Sequence, residues 1–113
     1  MYEYRAKVRS IYDADTLRLD IDLGFGTWIA DQPIRLNGID ATELGQDGGK
    51  AARDWLRARI PIGTDVLLIT YRDKTEKYGR YLGDIFAPDD VVTSVNQQLV
   101  DIGHARPYDG GAR

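Results

Sequence analysis

The chain has 113 residues, of which 42% are hydrophobic and 29% charged, so it can bury one core without a disulfide or structural metal. It has no cysteine, which excludes thiolate zinc sites, redox dithiols and cysteine nucleophiles, and with one histidine triad-type hydrolysis has no support. A formal net charge of −3 excludes a tight duplex-DNA reader carried by bulk charge, but not an enzyme that grips phosphate locally with a cation and a few arginines.

The first half reads as strands. Residues 4–11 form an extended run, and Asp13-Ala14-Asp15 supplies the turn that follows it. Leu17, Leu19, Ile21 and Leu23 then alternate with Arg18, Asp20 and Asp22, the period-two pattern of a strand with one wet face. Gly24-Phe25-Gly26 closes a hairpin, and residues 27–39 form a third strand in which Pro33 predicts an edge position or a bulge.

Gly48-Gly49 breaks the chain before a helix over residues 50–60, with Ala52, Trp55, Leu56 and Ile60 on one face and Arg53, Asp54 and Arg57 on the other. Pro61 and Gly63 end it. Residues 66–70 and 81–86 make two further strands around a polar turn over 73–79. A second helix runs from a Thr93 or Ser94 cap through Val95, Leu99 and Ile102 to Gly103. The pattern predicts a single α+β, mainly β domain over residues 1–113: a five-stranded Greek-key barrel of the OB type with two to three packed helices.

Strand parity places the charged residues. Asp15 continues the inward row of Leu17, Leu19 and Ile21, and Asp40 shares parity with Ile34 and Leu36, so both carboxylates are expected at the barrel mouth. Arg35 has the opposite parity and is expected on the outer surface. Two carboxylates about 4 Å apart, at an effective dielectric of about 20, repel by on the order of 4 kcal/mol. A divalent cation with oxygen ligands, calcium or magnesium, removes that penalty, as does protonation of one acid. Singly, each acidic residue has an ordinary explanation: Asp13 or Asp15 as a turn residue, Asp40 and Glu43 as flanks of the coming helix. Arg80, delivered by a turn at Tyr78-Gly79, gains meaning beside Arg35, because phosphoryl transfer needs charge neutralised on the equatorial oxygens. His104, just beyond a helix C-terminus, reads as a partner of terminal carbonyls.

Four stretches occur in an order and spacing that carry a family resemblance: Asp13-Ala14-Asp15-Thr16, Arg35-Leu36-Asn37-Gly38-Ile39-Asp40, Glu43, and Lys77-Tyr78-Gly79-Arg80. With Val95-Asn96-Gln97-Gln98-Leu99-Val100 and Gly103-His104-Ala105, they make the chain resemble the staphylococcal (thermo)nuclease, or micrococcal nuclease-like, family over almost its whole length. That resemblance implies calcium held by Asp15, Asp40 and the Ala41 carbonyl. It also implies Glu43 as the carboxylate that positions or deprotonates water, and Arg35 and Arg80 on the scissile phosphate. Lys77, Tyr78 and Tyr108 are expected to contact a nucleotide phosphate or stack on a base. The implied reaction is hydrolysis of DNA and RNA, in line with the 5′-oxygen, leaving 3′-phosphates. Nothing in the sequence demands more than a monomer, and no apolar run approaches the length of a membrane span, so no membrane partner is expected.

The chain departs from the family's usual pattern at Ala41-Thr42, where a proline commonly stands second. The stretch Leu44-Gly45-Gln46-Asp47-Gly48-Gly49 is also short, and is read either as a lid or as a solvated connector. The alternative function is a catalytically inactive member that binds nucleic acid or protein, which would be expected to have lost one of the site residues. Met1-Tyr2-Glu3-Tyr4-Arg5 carries no signal-peptide apolar core, so the expected location is the cytoplasm, or outside the cell after removal of a leader.

Overall fold

In the computed structural model, which describes residues 2–71 and 81–108, the alternation seen in the sequence becomes the wall of a barrel. The strands are β1 (Tyr2–Ile11), β2 (Thr16–Gly24), β3 (Thr27–Leu36), β5 (Asp65–Tyr71) and β6 (Tyr81–Phe86), closed in the order β1-β2-β3-β6-β5. All pairs are antiparallel except β3 with β6, which run parallel through Ile34↔Tyr81, Arg35↔Leu82 and Leu36↔Gly83. This is the five-stranded OB-type architecture that the element order predicts.

Leu17, Leu19 and Ile21 point inward with Val8, Ile34, Leu68 and Ile85, all buried. Each such side chain contributes about 1.5–3 kcal/mol when fully removed from water. Because β6 pairs with β3 only from Ile34 onward, the first part of β3, including Pro33, has β2 as its single neighbour, the edge setting that proline tolerates. The β2–β3 hairpin turns at Phe25 and Gly26, both at positive φ, as a type I′ turn demands.

Two helices pack against the barrel and each other: α1 (Gly49–Arg59) and α2 (Val95–Asp101), both adding side chains to the core. Helix α1 buries Ala52 and Leu56, and Ile60 beyond it, while Asp54 and Arg57 face solvent, as the sequence periodicity predicts. Its Arg57 returns to the barrel, donating to the Ile11 carbonyl through Nε at 3.0 Å and Nη2 at 2.6 Å. Helix α2 starts at the expected Ser94 cap, whose Oγ accepts from the Gln97 amide at 3.1 Å. Such a cap contributes about 1 kcal/mol.

The third strand is where the structure departs from the sequence reading. The extended run breaks after Leu36, turns at Asn37 and Gly38 (φ +75°), and resumes as β4 (Ile39–Ala41). Strand β4 leaves the barrel and pairs antiparallel with β7 (Ala105–Pro107), which the sequence did not reveal. The left-handed backbone at Gly38 resets the inside–outside alternation. Ile39 and Ala41 are buried, and Asp40 lies between them on the other side, so it does not extend the inward row of Ile34 and Leu36. The polar turn expected over 73–79 lies outside the described residues.

Candidate functional site

The rim is assembled by short-range backbone chemistry. Asp13 acts as the turn residue: its Oδ1 accepts from the amides of Asp15 at 2.9 Å and Thr16 at 2.8 Å, which fixes the loop before β2. The Asp15 carbonyl accepts from the Leu36 amide at 2.9 Å, locking this loop to the end of β3. Register then sets Thr16 opposite Arg35.

Arg35 does not point off the surface. It is 4% exposed, and its Nη2 lies 3.6 Å from Asp15 Oδ2. Nη1 donates to the Leu36 carbonyl and Nη2 to the Ile39 carbonyl, each at 3.1 Å. The Tyr108 ring covers the guanidinium, with Cζ 5.5 Å from the ring centroid. Strand parity predicts Arg35 on the outer surface, but the chain reverses at Gly38 and encloses it with the Leu36 and Ile39 carbonyls and the Tyr108 ring. One side chain thereby ties the loop after β1, the β3–β4 turn and the segment following β7.

Asp40 belongs to the neighbouring half of the rim. Its side chain is 17% exposed, and Arg106 on β7, directly across the ladder, approaches its Oδ2 to 3.4 Å. Asp40, Glu43, Gln46 and Arg106 line one polar pocket of about 360 Å³, with Ala41 and Thr42 in its wall. The loop is held there because Thr42 bonds the His104 carbonyl twice, through its amide at 3.1 Å and its hydroxyl at 3.3 Å. Glu43 itself is exposed, and its amide donates to Gln46 Oε1 at 3.3 Å. The stretch after it is a hydrogen-bonded turn: Gln46 donates to the Glu43 carbonyl and Gly49 to the Gln46 carbonyl, both at 3.0 Å.

Beneath these residues lies a support that the sequence reading did not assign. Asn96, 3% exposed, donates to the carbonyls of Asn37 at 2.9 Å and Gly83 at 3.0 Å, and accepts from the Ile85 amide at 3.1 Å. Alongside, Tyr71 donates to Asp84 Oδ2 at 2.9 Å, and this hydrogen bond, then burial, hold the Tyr71 phenol above its ordinary pKa. A polar residue on the inner face of a helix that begins right after its cap is the signal that could have marked Asn96.

The structure thus brings Asp15, Arg35 and Tyr108 into one cluster and Asp40, Glu43 and Arg106 into another, joined where Arg35 grips the carbonyl of Ile39, next to Asp40. Lys77, Tyr78 and Arg80 lie outside the described residues. Asp15 and Asp40 each have a guanidinium beside them, Arg35 at 3.6 Å and Arg106 at 3.4 Å, so arginine supplies part of the neutralisation that the sequence assigned to a metal. Among the described residues, no group of three or more acidic or histidine side chains is gathered in metal-binding geometry. Asp15, Asp40 and the Ala41 carbonyl are oxygen donors of the kind a hard divalent cation takes.

Fold and rim together define an OB-type barrel with acidic and guanidinium groups gathered at one mouth. Residues 33–112 match the family described as staphylococcal nuclease homologue, and the chain belongs to that family. Two curated relatives, from Escherichia coli O157:H7 and Escherichia coli, each named an uncharacterized endonuclease, are 38% identical to it over 76 residues. The match covers 67% of this chain and 46% of each relative, so the chain spans about half the length of the curated relatives it matches.

Proposed function

We propose that this domain is a calcium-dependent nuclease that hydrolyses phosphodiester bonds in DNA and RNA with little sequence specificity. The observation that carries the reading is the joined rim, in which Arg35 pairs with Asp15 and reaches the backbone beside Asp40, while Asp40 shares a pocket with Glu43. Family membership and the endonuclease-named relatives support it.

In this reading, Asp15, Asp40 and the Ala41 carbonyl hold calcium, which when bound supplies Lewis-acid charge to a phosphate oxygen. Glu43, exposed at the pocket edge, orients water and accepts its proton. Arg35, fixed by two carbonyls, presents a preorganised guanidinium to the phosphate, and Arg80 is its partner. Lys77 and Tyr78 contact the nucleotide, and Tyr108, whose ring lies over Arg35, is the candidate to stack on a base. Attack in line with the 5′-oxygen leaves 3′-phosphate products. A monomer suffices, because every group invoked comes from one chain, and we infer no membrane association. We place the domain in the cytoplasm, or outside the cell once a leader is removed.

The test is digestion of single-stranded DNA and RNA with calcium, with magnesium and with chelator. Cleavage that requires calcium supports the reading. A folded sample that cuts neither nucleic acid under any condition would instead mark the domain as a binding module. Glu43→Gln should keep nucleotide binding and lose on the order of 10²–10³ in turnover, by analogy with loss of a preorganised transition-state group.

A further inference from the structure

We propose that Arg106 binds a phosphate of the substrate strand adjacent to the one being cut, so that β7 forms part of the strand's track. The inference rests on the nuclease reading and extends it to a residue outside the set proposed for the reaction.

Three observations carry it. The β4–β7 register sets Arg106 directly opposite Asp40, and its side chain lines the same pocket as Glu43. The guanidinium is 80% exposed, and its hydrogen bond to Asp40 is a single 3.4 Å contact. Arg106 is the exposed member of the pair and makes one long contact to Asp40, so its guanidinium can turn to a phosphate oxygen. Arg35 is the contrast: at 4% exposure and tied to two carbonyls, it is fixed in place, whereas Arg106 has room to reach.

The third observation is the row that Arg106 begins. Strand alternation puts Tyr108 on the same side two residues on, roughly 6.6–6.8 Å along the chain. The Tyr108 amide continues the ladder by donating to the Gly38 carbonyl at 2.8 Å, and its ring lies over Arg35. Strand β7 and the residue that follows it therefore set a cation beside the Glu43 pocket and an aromatic ring beside Arg35. A cation for the backbone and a ring for a base is the combination that proteins use to hold single-stranded nucleic acid.

The experiment compares wild type, Arg106→Gln and Arg106→Lys by fluorescence anisotropy. The probes are a short phosphorothioate-linked DNA strand, which resists cutting, and thymidine monophosphate, each titrated across a salt series in calcium. For the strand, Arg106→Gln should lose several-fold in affinity, and the slope of log affinity against log salt should fall by about 0.7, one phosphate contact on a single strand. Arg106→Lys should keep the wild-type slope, and mononucleotide affinity should be the same in all three. A structural rim pair would shift thermal stability and leave the slope alone, and that result overturns the proposal. Equal weakening of strand and mononucleotide also overturns it, since Arg106 would then act at the cut phosphate or through Asp40. Failure of the wild type to bind either probe overturns the nuclease reading together with this inference.

Discussion

Gly49 and Glu43 are in backbone contact: a methyl group placed on Gly49 would lie 1.8 Å from the Glu43 carbonyl oxygen and 2.8 Å from Leu44 Cα. Helix α1 therefore begins against the peptide that carries the proposed water-activating carboxylate. The short turn between them is closed by hydrogen bonds through Gln46. The stretch after Glu43 is thus a brace, and Gly49 is the residue that lets it close.

Gly49→Ala should accordingly push the helix and the Glu43 loop apart. Overpacking of this kind costs about 1–3 kcal/mol. Urea unfolding should show that loss, and turnover measured well below the transition should fall as well, because Glu43 moves. A variant with wild-type midpoint and wild-type turnover would show that the contact is accommodated elsewhere.

Arg35→Ala should cost about 3–5 kcal/mol, because it strips a buried Asp15 of its cation and leaves the Leu36 and Ile39 carbonyls without their donor. Arg35→Lys keeps the charge but not the planar fork, and should fall between wild type and alanine in stability. Chemical denaturation of the three proteins checks the order. Equal stability of alanine and wild type would mean that the guanidinium serves chemistry alone.

Asn96→Ala removes the donor to the Asn37 carbonyl, one of the two donors to the Gly83 carbonyl, and the acceptor of the buried Ile85 amide. Leaving such groups unsatisfied should cost on the order of 3 kcal/mol. Hydrogen exchange should also speed up at Ile85, a readout that distinguishes local loss of the brace from general weakening.

Alkaline pH probes the neighbouring network. The hydrogen bond to Asp84 raises the Tyr71 pKa above the ordinary tyrosine value of about 10, so the folded state binds that proton more tightly than the unfolded chain. The resulting stabilisation is complete below the unfolded value and disappears as pH rises through the folded one. In stability profiles up to about pH 12, wild type should lose more than Tyr71→Phe above pH about 10. Parallel profiles would remove Tyr71 from the account.

If Asp15 and Asp40 hold calcium in the native state alone, calcium at about one hundred times its dissociation constant should add about 2.7 kcal/mol to folding stability, and chelator should reverse it. Asp40→Asn should abolish most of that increment. A midpoint insensitive to calcium in the wild type would count against the metal assignment while leaving the fold untouched.

Periodicity and punctuation in the sequence determined the barrel strands, the buried face of α1 and a cap at Thr93 or Ser94, because these depend on which neighbours along the chain are apolar and where glycine, proline or serine interrupts them. Ile102, expected on the apolar face of α2, is exposed. Motif order identified Asp15, Arg35, Asp40 and Glu43 as candidates. Tertiary structure alone decided that Arg35 is buried, that Asp40 faces away from the inward row, and that β7 brings Arg106 and Tyr108 to the rim. The physical reason lies at Gly38. One left-handed residue resets side-chain alternation and sends the chain out of the barrel. Its new partner, β7, is more than sixty residues away, and no local pattern of hydrophobicity encodes so distant a pairing.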